Sequence, residues 1–397
     1  TPAAPADQSR LATPNGRNMA SFWRARDNVS AIGVHGGYGL TDDWKLLWQL
    51  EYGISMNYIE SNDKTLNTSA SPSTKLRNTG AAFNNTDYGT LLYGVWDMPM
   101  KESTTSLDPF NGKTSAAYFN IIGSPGFSAG LSTNVNGPQS YNDTAVNGDA
   151  AFNRRQAGVV EYWTPVWNGL QLKLAYSNNG MRAASDVDKG YIYGSSLTYN
   201  NGGFTAVVAA ERHINYFGIA DLGRNARGLG STTHVTDGTS SDDFSFRYGL
   251  AYDFGATKLS VIADDLSYSE DGGIDNSTAA GDLSHYRRRA YLLGATRKGG
   301  AWTLKASYGK ALAGKCEMIR ATPVECDTHG MGATQYAMGF NYKLTKNIDL
   351  FSQYVLLKNQ SLANYNFALT GVTAATGYSP GVGTTISAVG TGINYSF

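Results

Sequence analysis

The segment Trp44-Lys-Leu-Leu-Trp-Gln-Leu-Glu-Tyr-Gly-Ile-Ser-Met56 alternates between large apolar side chains and mostly polar or small ones. The even positions are Trp44, Leu46, Trp48, Leu50, Tyr52, Ile54 and Met56, and the odd positions are Lys45, Leu47, Gln49, Glu51, Gly53 and Ser55. Because side chains of a strand point to alternate faces, one face suits lipid, with aromatic residues near its ends, and the other suits water. A length of about ten residues matches a tilted strand that crosses a membrane.

The same alternation recurs through the chain and reaches its last residues. In Thr391-Gly-Ile-Asn-Tyr-Ser-Phe397, the side chains of Ile393, Tyr395 and Phe397 share one face. Comparable segments begin at Leu170, Phe244, Trp302 and Tyr336. Their second faces are rich in Gly, Ala and Ser, which leave room for a lumen rather than filling a core. The pattern predicts an all-β fold, a transmembrane antiparallel β-barrel.

Composition agrees with this fold class and excludes others. No run of 18 or more uncharged apolar residues occurs among the 397, which argues against a helical membrane protein. The 46 Gly and 25 Tyr suit a β-protein with many turns and interfacial aromatic residues. Lys and Arg number 32 and Asp and Glu also 32, so nothing indicates a nucleic-acid surface. No Pro/Ser-rich linker divides the chain, and residues 1–397 are predicted to form one domain.

Short and long connections alternate between the predicted strands. The short ones carry standard turn residues; they are Leu40-Thr-Asp-Asp43, Thr86-Asp-Tyr-Gly89, Thr164-Pro-Val-Trp-Asn-Gly169, Asn200-Asn-Gly-Gly203, Gly255-Ala256, Lys298-Gly-Gly300 and Leu344-Thr-Lys-Asn347. The long ones run over residues 59–76, 98–150, 178–189, 214–242, 270–284, 311–333 and 360–383. Short turns at one end and long loops at the other are the layout of bacterial outer-membrane barrels.

The predicted strands number about fifteen, whereas single-chain bacterial barrels normally have an even number. The first strand either lies upstream of Thr1 or is formed by residues 1–28, an N-terminal segment that reads mostly as loop. Ala20-Ser-Phe-Trp-Arg24 is a poor strand, so the first alternative is favoured. The sequence carries no export signal, and we expect its numbering to start after a cleavage site or later.

The order and spacing of several motifs resemble the Gram-negative general diffusion porins, and most closely the type common in β-proteobacteria. These motifs are Ser30-Ala-Ile-Gly-Val-His-Gly36, Leu47-Trp-Gln-Leu-Glu51, Tyr88-Gly-Thr-Leu-Leu-Tyr-Gly-Val-Trp-Asp-Met-Pro99, Leu107-Asp-Pro-Phe110, Asn153-Arg-Arg-Gln-Ala-Gly-Val-Val-Glu-Tyr-Trp163, Tyr342-Lys-Leu-Thr-Lys-Asn-Ile-Asp-Leu-Phe-Ser-Gln-Tyr354, Leu357-Lys-Asn359 and Gly392-Ile-Asn-Tyr-Ser-Phe397. The resemblance covers nearly all of the chain beyond residue 28. Ala31, His35 and Val95 stand where the family often has basic residues, which puts inherited anion selectivity in doubt.

The resemblance implies a 16-stranded antiparallel barrel that assembles as a homotrimer in the bacterial outer membrane. The terminal Phe397 resembles the signal that the outer-membrane assembly machinery reads. The implied function is passive diffusion of small hydrophilic solutes and ions, with outer-membrane lipids and lipopolysaccharide as surroundings. The third loop, residues 98–150, would fold into the barrel and narrow the pore. Acidic loop residues opposite a basic wall would then set a field across the lumen.

Eight residues are candidates for the constriction. The acidic ones come from the third loop and the basic ones lie on lumen faces by alternation; they are Asp97, Glu102 and Asp108, and Lys45, Arg155, Lys173, Arg247 and Lys305. The alternative is that each is a solvated charge at the loop or mouth. Glu51, Glu161 and Asp253 share the lumen parity and could balance the basic wall.

Three further groups leave alternatives open. Arg287-Arg288-Arg289 could line the mouth or bind lipopolysaccharide phosphates, or be plainly solvated. Asp264-Asp265 is expected to cap strand ends. Cys316 and Cys326, ten positions apart, could form a disulfide within one loop in an oxidising compartment, or remain free thiols.

Enzymatic and cofactor functions find no support in the sequence. The five histidines lack a metal spacing; they are His35, His213, His234, His285 and His329. Glu270, Asp271 and Asp275 could bind Ca²⁺ but lack the regular loop motif. We therefore predict no enzyme activity, cofactor or metal. The alternatives to passive diffusion are a substrate-selective channel with lumen aromatics such as Phe351, and a structural or adhesive barrel.

Overall fold

The computed structural model describes residues 23–25, 30–55, 58–60, 73–126, 152–178, 190–214, 240–271, 282–319, 324–326, 328–361, 363, 365–367 and 383–397. Its strands in chain order are β1 (Trp23–Ala25), β2 (Ala31–Gly39), β3 (Trp44–Ser55), β4 (Tyr58–Glu60), β5 (Ser73–Leu76), β6 (Thr79–Asn85), β7 (Gly89–Asp97), β8 (Arg155–Trp163), β9 (Leu170–Ser177), β10 (Tyr191–Asn201), β11 (Phe204–Ile214), β12 (Ser240–Asp253), β13 (Thr257–Asp271), β14 (Asp282–Gly299), β15 (Trp302–Ala311), β16 (Lys315–Ile319), β17 (Val324–Cys326), β18 (Ala333–Lys343), β19 (Ile348–Asn359) and β20 (Thr385–Tyr395). Between β7 and β8 lie one α-helix, α1 (Pro99–Thr105), and a 3₁₀ turn (Tyr118–Asn120).

Sixteen strand segments form the wall of the barrel, and all the strand registers within it are antiparallel; the segments are β2, β3, β5 to β15 and β18 to β20. The segments β5 and β6 pair with the two halves of β3 and so act as one interrupted strand. The wall therefore crosses the membrane fifteen times in the described residues, as the alternation predicts. The fold class expected from the sequence is confirmed.

The N-terminal segment contributes one short strand to the described structure. Contrary to the expectation for Ala20–Arg24, residues Trp23–Ala25 are extended, but β1 pairs with β4 in a separate two-stranded sheet rather than with the wall. Residues 1–22 and 26–29 lie outside the described part of the chain. The location of a first wall strand stays a prediction.

The outer face of the barrel is apolar, and aromatic rings gather at both of its ends. Trp48, Tyr248 and Leu304 are exposed there, as a lipid-facing surface requires. At the short-turn end, rings stack or tilt against each other in the pairs Trp44–Tyr88, Trp302–Tyr342 and Tyr395–Phe397. At the long-loop end, the pairs are Tyr176–Tyr193, Tyr291–Tyr308 and Tyr308–Tyr336. These two girdles mark the membrane interfaces.

All seven predicted short turns lie between consecutive wall strands. Two of the predicted long loops are partly wrong, because residues 59–76 include β5 and residues 311–333 include the β16–β17 hairpin, which extends the β14 edge. The backbone can continue the ladder beyond the membrane wherever a neighbouring strand is longer. In this hairpin Cys316 is disulfide-bonded and lies opposite Cys326 in the register.

The main buried cluster lies inside the barrel, where the long connection after β7 packs against the wall. Described residues 98–126 of this connection, here called the inner loop, turn into the lumen as predicted for residues 98–150. Residues 127–150 lie outside the described part. Among the described residues, no helix is long and apolar enough to cross a membrane.

Candidate pore constriction

The inner loop begins with α1, whose apolar side chains face the barrel wall. Pro99 occupies the first turn of the helix, where its missing N–H leaves no intrahelical bond unmade. Met98 and Met100 are fully buried, and α1 contacts β9, β10 and β11. The helix is therefore fixed along one side of the lumen.

Wall glycines admit the apolar side chains of the inner loop. A Cβ built on Gly249 would stand 2.2 Å from Leu107 Cδ1, and one on Gly294 would stand 2.8 Å from Pro109 Cδ. The small lumen-facing residues that the sequence assigned to open space thus form, on this side, the contact surface of the loop. Packing at such distances fixes how deeply the loop lies in the barrel.

Hydrogen bonds from wall side chains hold the loop backbone. Ser260 Oγ donates to the Leu107 carbonyl at 2.6 Å, and Lys258 Nζ donates to the Ser106 carbonyl at 3.0 Å. Further along the loop, Asn120 Nδ2 donates to Gln335 Oε1 at 2.7 Å. These bonds satisfy loop groups that would otherwise be buried without partners.

Asp97, at the end of β7, is surrounded by two cations. Its carboxylate accepts from Lys101 Nζ at 2.7 Å and pairs with Arg155 Nε at 2.9 Å. Arg155 also donates to Asn78 Oδ1 at 2.6 Å, which orients its guanidinium. Burial lowers the pKa of Lys101 to about 8, against the raising effect of Asp97. Asp97 therefore presents no free negative charge to the lumen.

Glu102, an acidic candidate from the loop, forms an ion pair with Lys173, a basic candidate from the wall. Their carboxylate oxygen and ammonium nitrogen lie 2.8 Å apart, and Lys173 Nζ also lies 4.3 Å from the centre of the Trp163 ring. Glu161 lies on the same inner face and is fully buried; neither of its oxygens has a hydrogen-bond partner in the described structure. The second oxygen of Glu102 is likewise buried without a described partner.

Asp108 lies inside the loop and holds its fold. Its two oxygens accept from the backbone N–H groups of Phe110 at 3.1 Å, Gly112 at 2.8 Å and Tyr118 at 3.2 Å. Burial raises the pKa of Asp108 to about 6, while these amides and Lys305 act in the opposite direction. Its carboxylate shapes the loop rather than facing the water of the lumen.

Arg247 is also engaged by the loop. It is fully buried, donates to Thr104 Oγ1 at 3.2 Å and to the Phe152 carbonyl at 3.0 Å, and lies 5.8 Å from the centre of the Tyr118 ring. The guanidinium therefore joins the two ends of the long connection. It leaves no exposed cation at this point of the wall.

Two candidate lysines, Lys305 and Lys45, lie on the lumen face between the inner loop and the short-turn end. Lys305 lies 5.9 Å from the centre of the Phe110 ring and within electrostatic reach of Asp108, Asp349 and Lys113. Lys45 lies on the lumen face next to a short turn, opposite Asn84. In the described structure neither lysine forms an ion pair with a carboxylate.

The sequence missed two ion pairs, one fully buried and one partly exposed. Asp264 was expected to cap a strand end; instead it pairs with Arg288 at 2.9 Å, with both side chains fully buried against the loop. Arg77 pairs with Glu51 near Asn78. The Asp264–Arg288 pair could have been predicted in part from the sequence, because the alternation places both side chains on the inner face of neighbouring strands.

The residues flanking this buried pair point outward. Asp265, also expected at a strand end, pairs with Arg287 and with Arg289, whose Nε lies 3.0 Å from the carboxylate. Because side chains of a strand point to alternate faces, Arg288 points into the barrel, whereas its neighbours Arg287 and Arg289 point outward. Both expectations for the Asp264-Asp265 pair were wrong, because these residues lie within β13 and not at its end.

The histidines form no metal centre in the described residues. His213 Nε2 lies 2.9 Å from Glu211 Oε1, with both side chains fully buried, and no group of three potential ligands occurs in the described ranges. His234 and Asp275 lie outside those ranges, and the side chains of Glu270 and Asp271 are likewise not described.

Comparisons with known proteins identify relatives of this chain. A family model described as Gram-negative porin matches residues 13–362. Outer membrane porin protein 32 from Delftia acidovorans is 22% identical over 315 residues, which are 78% of this chain and 71% of that protein. The solved structure of an anion-selective porin from Comamonas acidovorans matches with a TM-score of 0.64 and 19% identity, over 93% of this chain and 90% of that one. OmpT of Vibrio cholerae in its trimer form matches with a TM-score of 0.55 and 14% identity, over 93% and 91%. The structural matches show a shared fold.

Proposed function

The chain belongs to the Gram-negative porin family, and on that premise we propose that its channel passes small anions in preference to cations. As a member of this family it is a passive, water-filled channel of the bacterial outer membrane for small hydrophilic solutes and ions. The selectivity rests on one observation. In the described part of the inner loop, Lys113 is the exposed charged side chain, whereas the acidic candidates Asp97, Glu102 and Asp108 are paired or buried.

The wall below the loop adds to this positive charge. Lysines on lumen-facing strand positions outnumber aspartates there; the lysines are Lys45, Lys258, Lys305 and Lys343, and the aspartates are Asp253 and Asp349. Charges within a Debye length, about 8 Å at physiological salt, act on a permeating ion with little screening. A surplus of lysine therefore favours anions where the lumen is narrow.

Zero-current potentials across planar bilayers test this proposal. With a KCl gradient, the wild-type channel should show a potential of the sign set by chloride. Lys113→Gln should reduce the chloride preference, because it removes the exposed cation of the loop. Lys346→Gln, in the exposed turn after β18, is the matched control and should leave the potential unchanged. A cation-selective wild type, or an unchanged potential in Lys113→Gln, would contradict the proposal.

The same bilayers separate general diffusion from substrate selectivity. A channel that binds a defined solute on lumen aromatics such as Phe351 shows conductance that the solute blocks saturably. A general diffusion channel shows no saturable block over a panel of small anions and sugars. We propose the second behaviour, because the inward face around Phe351 is formed by small residues such as Gly390 and Gly392.

We further infer that three copies associate through the outer face of β2 to β7. At the long-loop end this sector is apolar; its outward residues are Ile32, Tyr52, Ile54, Leu76, Tyr93 and Val95. On β11 to β19 the corresponding positions carry charges, namely Arg212, Arg287, Arg289, Lys310 and Lys358. Among the side chains that the structure describes, this sector is apolar and carries no such charge, which suits protein contact at headgroup depth. Mass measurement in mild detergent should give a trimer, and Ile32→Lys should weaken it.

A further inference from the structure

Arg287 and Arg289 form a cationic cluster on the outer face of the barrel. Both guanidinium groups bond to Asp265, through Arg287 Nε at 2.8 Å and Arg289 Nε at 3.0 Å. The two arginine side chains remain 54% and 68% exposed, whereas Asp265 is only 16% exposed. One carboxylate thus holds two guanidinium groups side by side, with most of their N–H donors free to face outward.

The cluster lies directly beyond the aromatic girdle of the long-loop end. The register places Asp265 between Phe246 and Arg289, and the next row toward the membrane centre contains Tyr248, Ala263 and Tyr291. Tyrosines at that depth mark the boundary between hydrocarbon and headgroups. The arginines therefore stand at the height of lipid headgroups, on a surface that faces away from the lumen.

The cluster has one positive charge more than Asp265 balances. Among the described side chains, Asp265 is the carboxylate that contacts Arg287 and Arg289. Asp242 on β12 instead pairs with Arg212, whose Nε donates to it at 2.8 Å. An unbalanced guanidinium pair at a membrane interface attracts an anion, and its planar donors match phosphate oxygens in bidentate geometry.

We propose that Arg287 and Arg289, held by Asp265, bind the phosphate group of a lipid headgroup in the leaflet at the long-loop end. Ser267 lies opposite Arg287 in the register, and its hydroxyl lies 3.5 Å from the Phe244 carbonyl oxygen. The aromatic row beneath would contact the upper part of the acyl chains, which a free phosphate ion lacks. The proposal rests on the proposed function only in that the barrel lies in the outer membrane, and it is independent of ion selectivity.

Native mass spectrometry of the delipidated protein in detergent tests this site. The probes are a diphosphorylated lipid A, the same lipid without phosphates, and inorganic phosphate. Wild type should retain the phosphorylated lipid, and Arg287→Gln/Arg289→Gln should bind it at least about tenfold more weakly, the effect of losing one charge-assisted hydrogen bond or more. The dephosphorylated lipid should bind wild type and the double variant equally.

Arg297→Gln provides the matched control. Arg297 lies on the same strand and the same face but near the short-turn end, where its Nη1 donates to Thr257 Oγ1. This variant should bind the phosphorylated lipid like wild type. Unchanged conductance and heat-modifiable mobility of the double variant would show that it folds and conducts. Equal lipid binding by the double variant, an equal loss in Arg297→Gln, or full competition by inorganic phosphate at equal concentration would each overturn the proposal.

Discussion

Arg288 and Asp264, on the neighbouring wall strands β14 and β13, form an ion pair of 2.9 Å beneath the inner loop, and both side chains are fully buried. Arg288 also donates to the carbonyls of Ser124, through Nε at 2.9 Å, and of Ile121, through Nη2 at 2.7 Å. Asp264 in turn accepts the backbone N–H of Gly123. The two opposite charges therefore bind donors and acceptors of the same short stretch of loop, and each charge compensates the other.

Arg288→Ala should release this part of the loop from the wall. Removing one partner of a buried pair leaves the other uncompensated, which costs about 3–5 kcal/mol. We expect a larger and noisier single-channel conductance and a lower thermal midpoint. Arg289→Ala is a matched control, since the neighbouring side chain points outward. Quiet wild-type conductance in a folded Arg288→Ala channel would show that other contacts hold the loop.

The alternation of the sequence predicted the wall correctly because a membrane imposes it at every strand. Lipid requires apolar side chains on one face of each strand. The lipid-facing and lumen-facing sides of a strand, such as residues 44–52 or 244–252, can therefore be assigned from that strand alone, without knowing which strands pair with it. The short turns were predictable for a similar local reason, since their residues allow tight reversals. The inward turn of the third loop followed from the family resemblance and from its length.

The pairing of charges inside the lumen could not be predicted in the same way. Parity identifies Lys173 and Arg247 as inward, but it gives neither their height relative to the loop nor which loop residue each one meets. Asp108 shows the consequence, because its carboxylate bonds to loop amides that no sequence pattern marked. The ion pair between Lys101 and Asp97 could have been predicted, since Lys101 follows Asp97 by four residues at the start of a helix, a spacing that brings opposite charges together.

Glu102→Gln should increase the preference for anions. The change removes the partner of Lys173, 2.8 Å away, and leaves that ammonium charged beside the lumen. A unit charge about 8 Å from an ion in water changes its energy by roughly 0.5 kcal/mol, or about a twofold change in permeability ratio. Reversal potentials at low salt measure the effect, and Lys173→Gln should give the opposite sign. Both shifts should shrink in concentrated salt, and equal potentials in the two variants would exclude this pair from the constriction.

Gly249→Val should destabilise the packing of the loop against β12. A Cβ at this position would meet the buried Leu107 side chain at 2.2 Å, and overpacking of this kind costs about 1–3 kcal/mol. The thermal midpoint should fall in Gly249→Val and recover partly when Leu107→Ala is added. Gly299→Val, where a Cβ meets nothing within 4 Å, is the control. A double variant less stable than Gly249→Val alone would mean that the two residues do not compete for space.

Asp108 should make the stability of the barrel depend on pH in mildly acidic solution. Burial raises its pKa from 3.8 to about 6 in the folded protein. Because the folded pKa is the higher one, the contribution to stability is fully present below about pH 4 and is lost as the pH rises through 6. The full change corresponds to a free energy of unfolding on the order of 3 kcal/mol.

Thermal midpoints of wild type and Asp108→Asn between pH 4 and pH 7.5 measure this dependence. The amide keeps an acceptor oxygen for the loop but does not titrate, so the midpoint of wild type should fall relative to the variant as the pH increases. Asp42→Asn, in the exposed turn after β2, should follow wild type and controls for the loss of an aspartate. Parallel curves for wild type and Asp108→Asn would show that the ionised carboxylate is stabilised by the three loop amides as fully as water stabilises it.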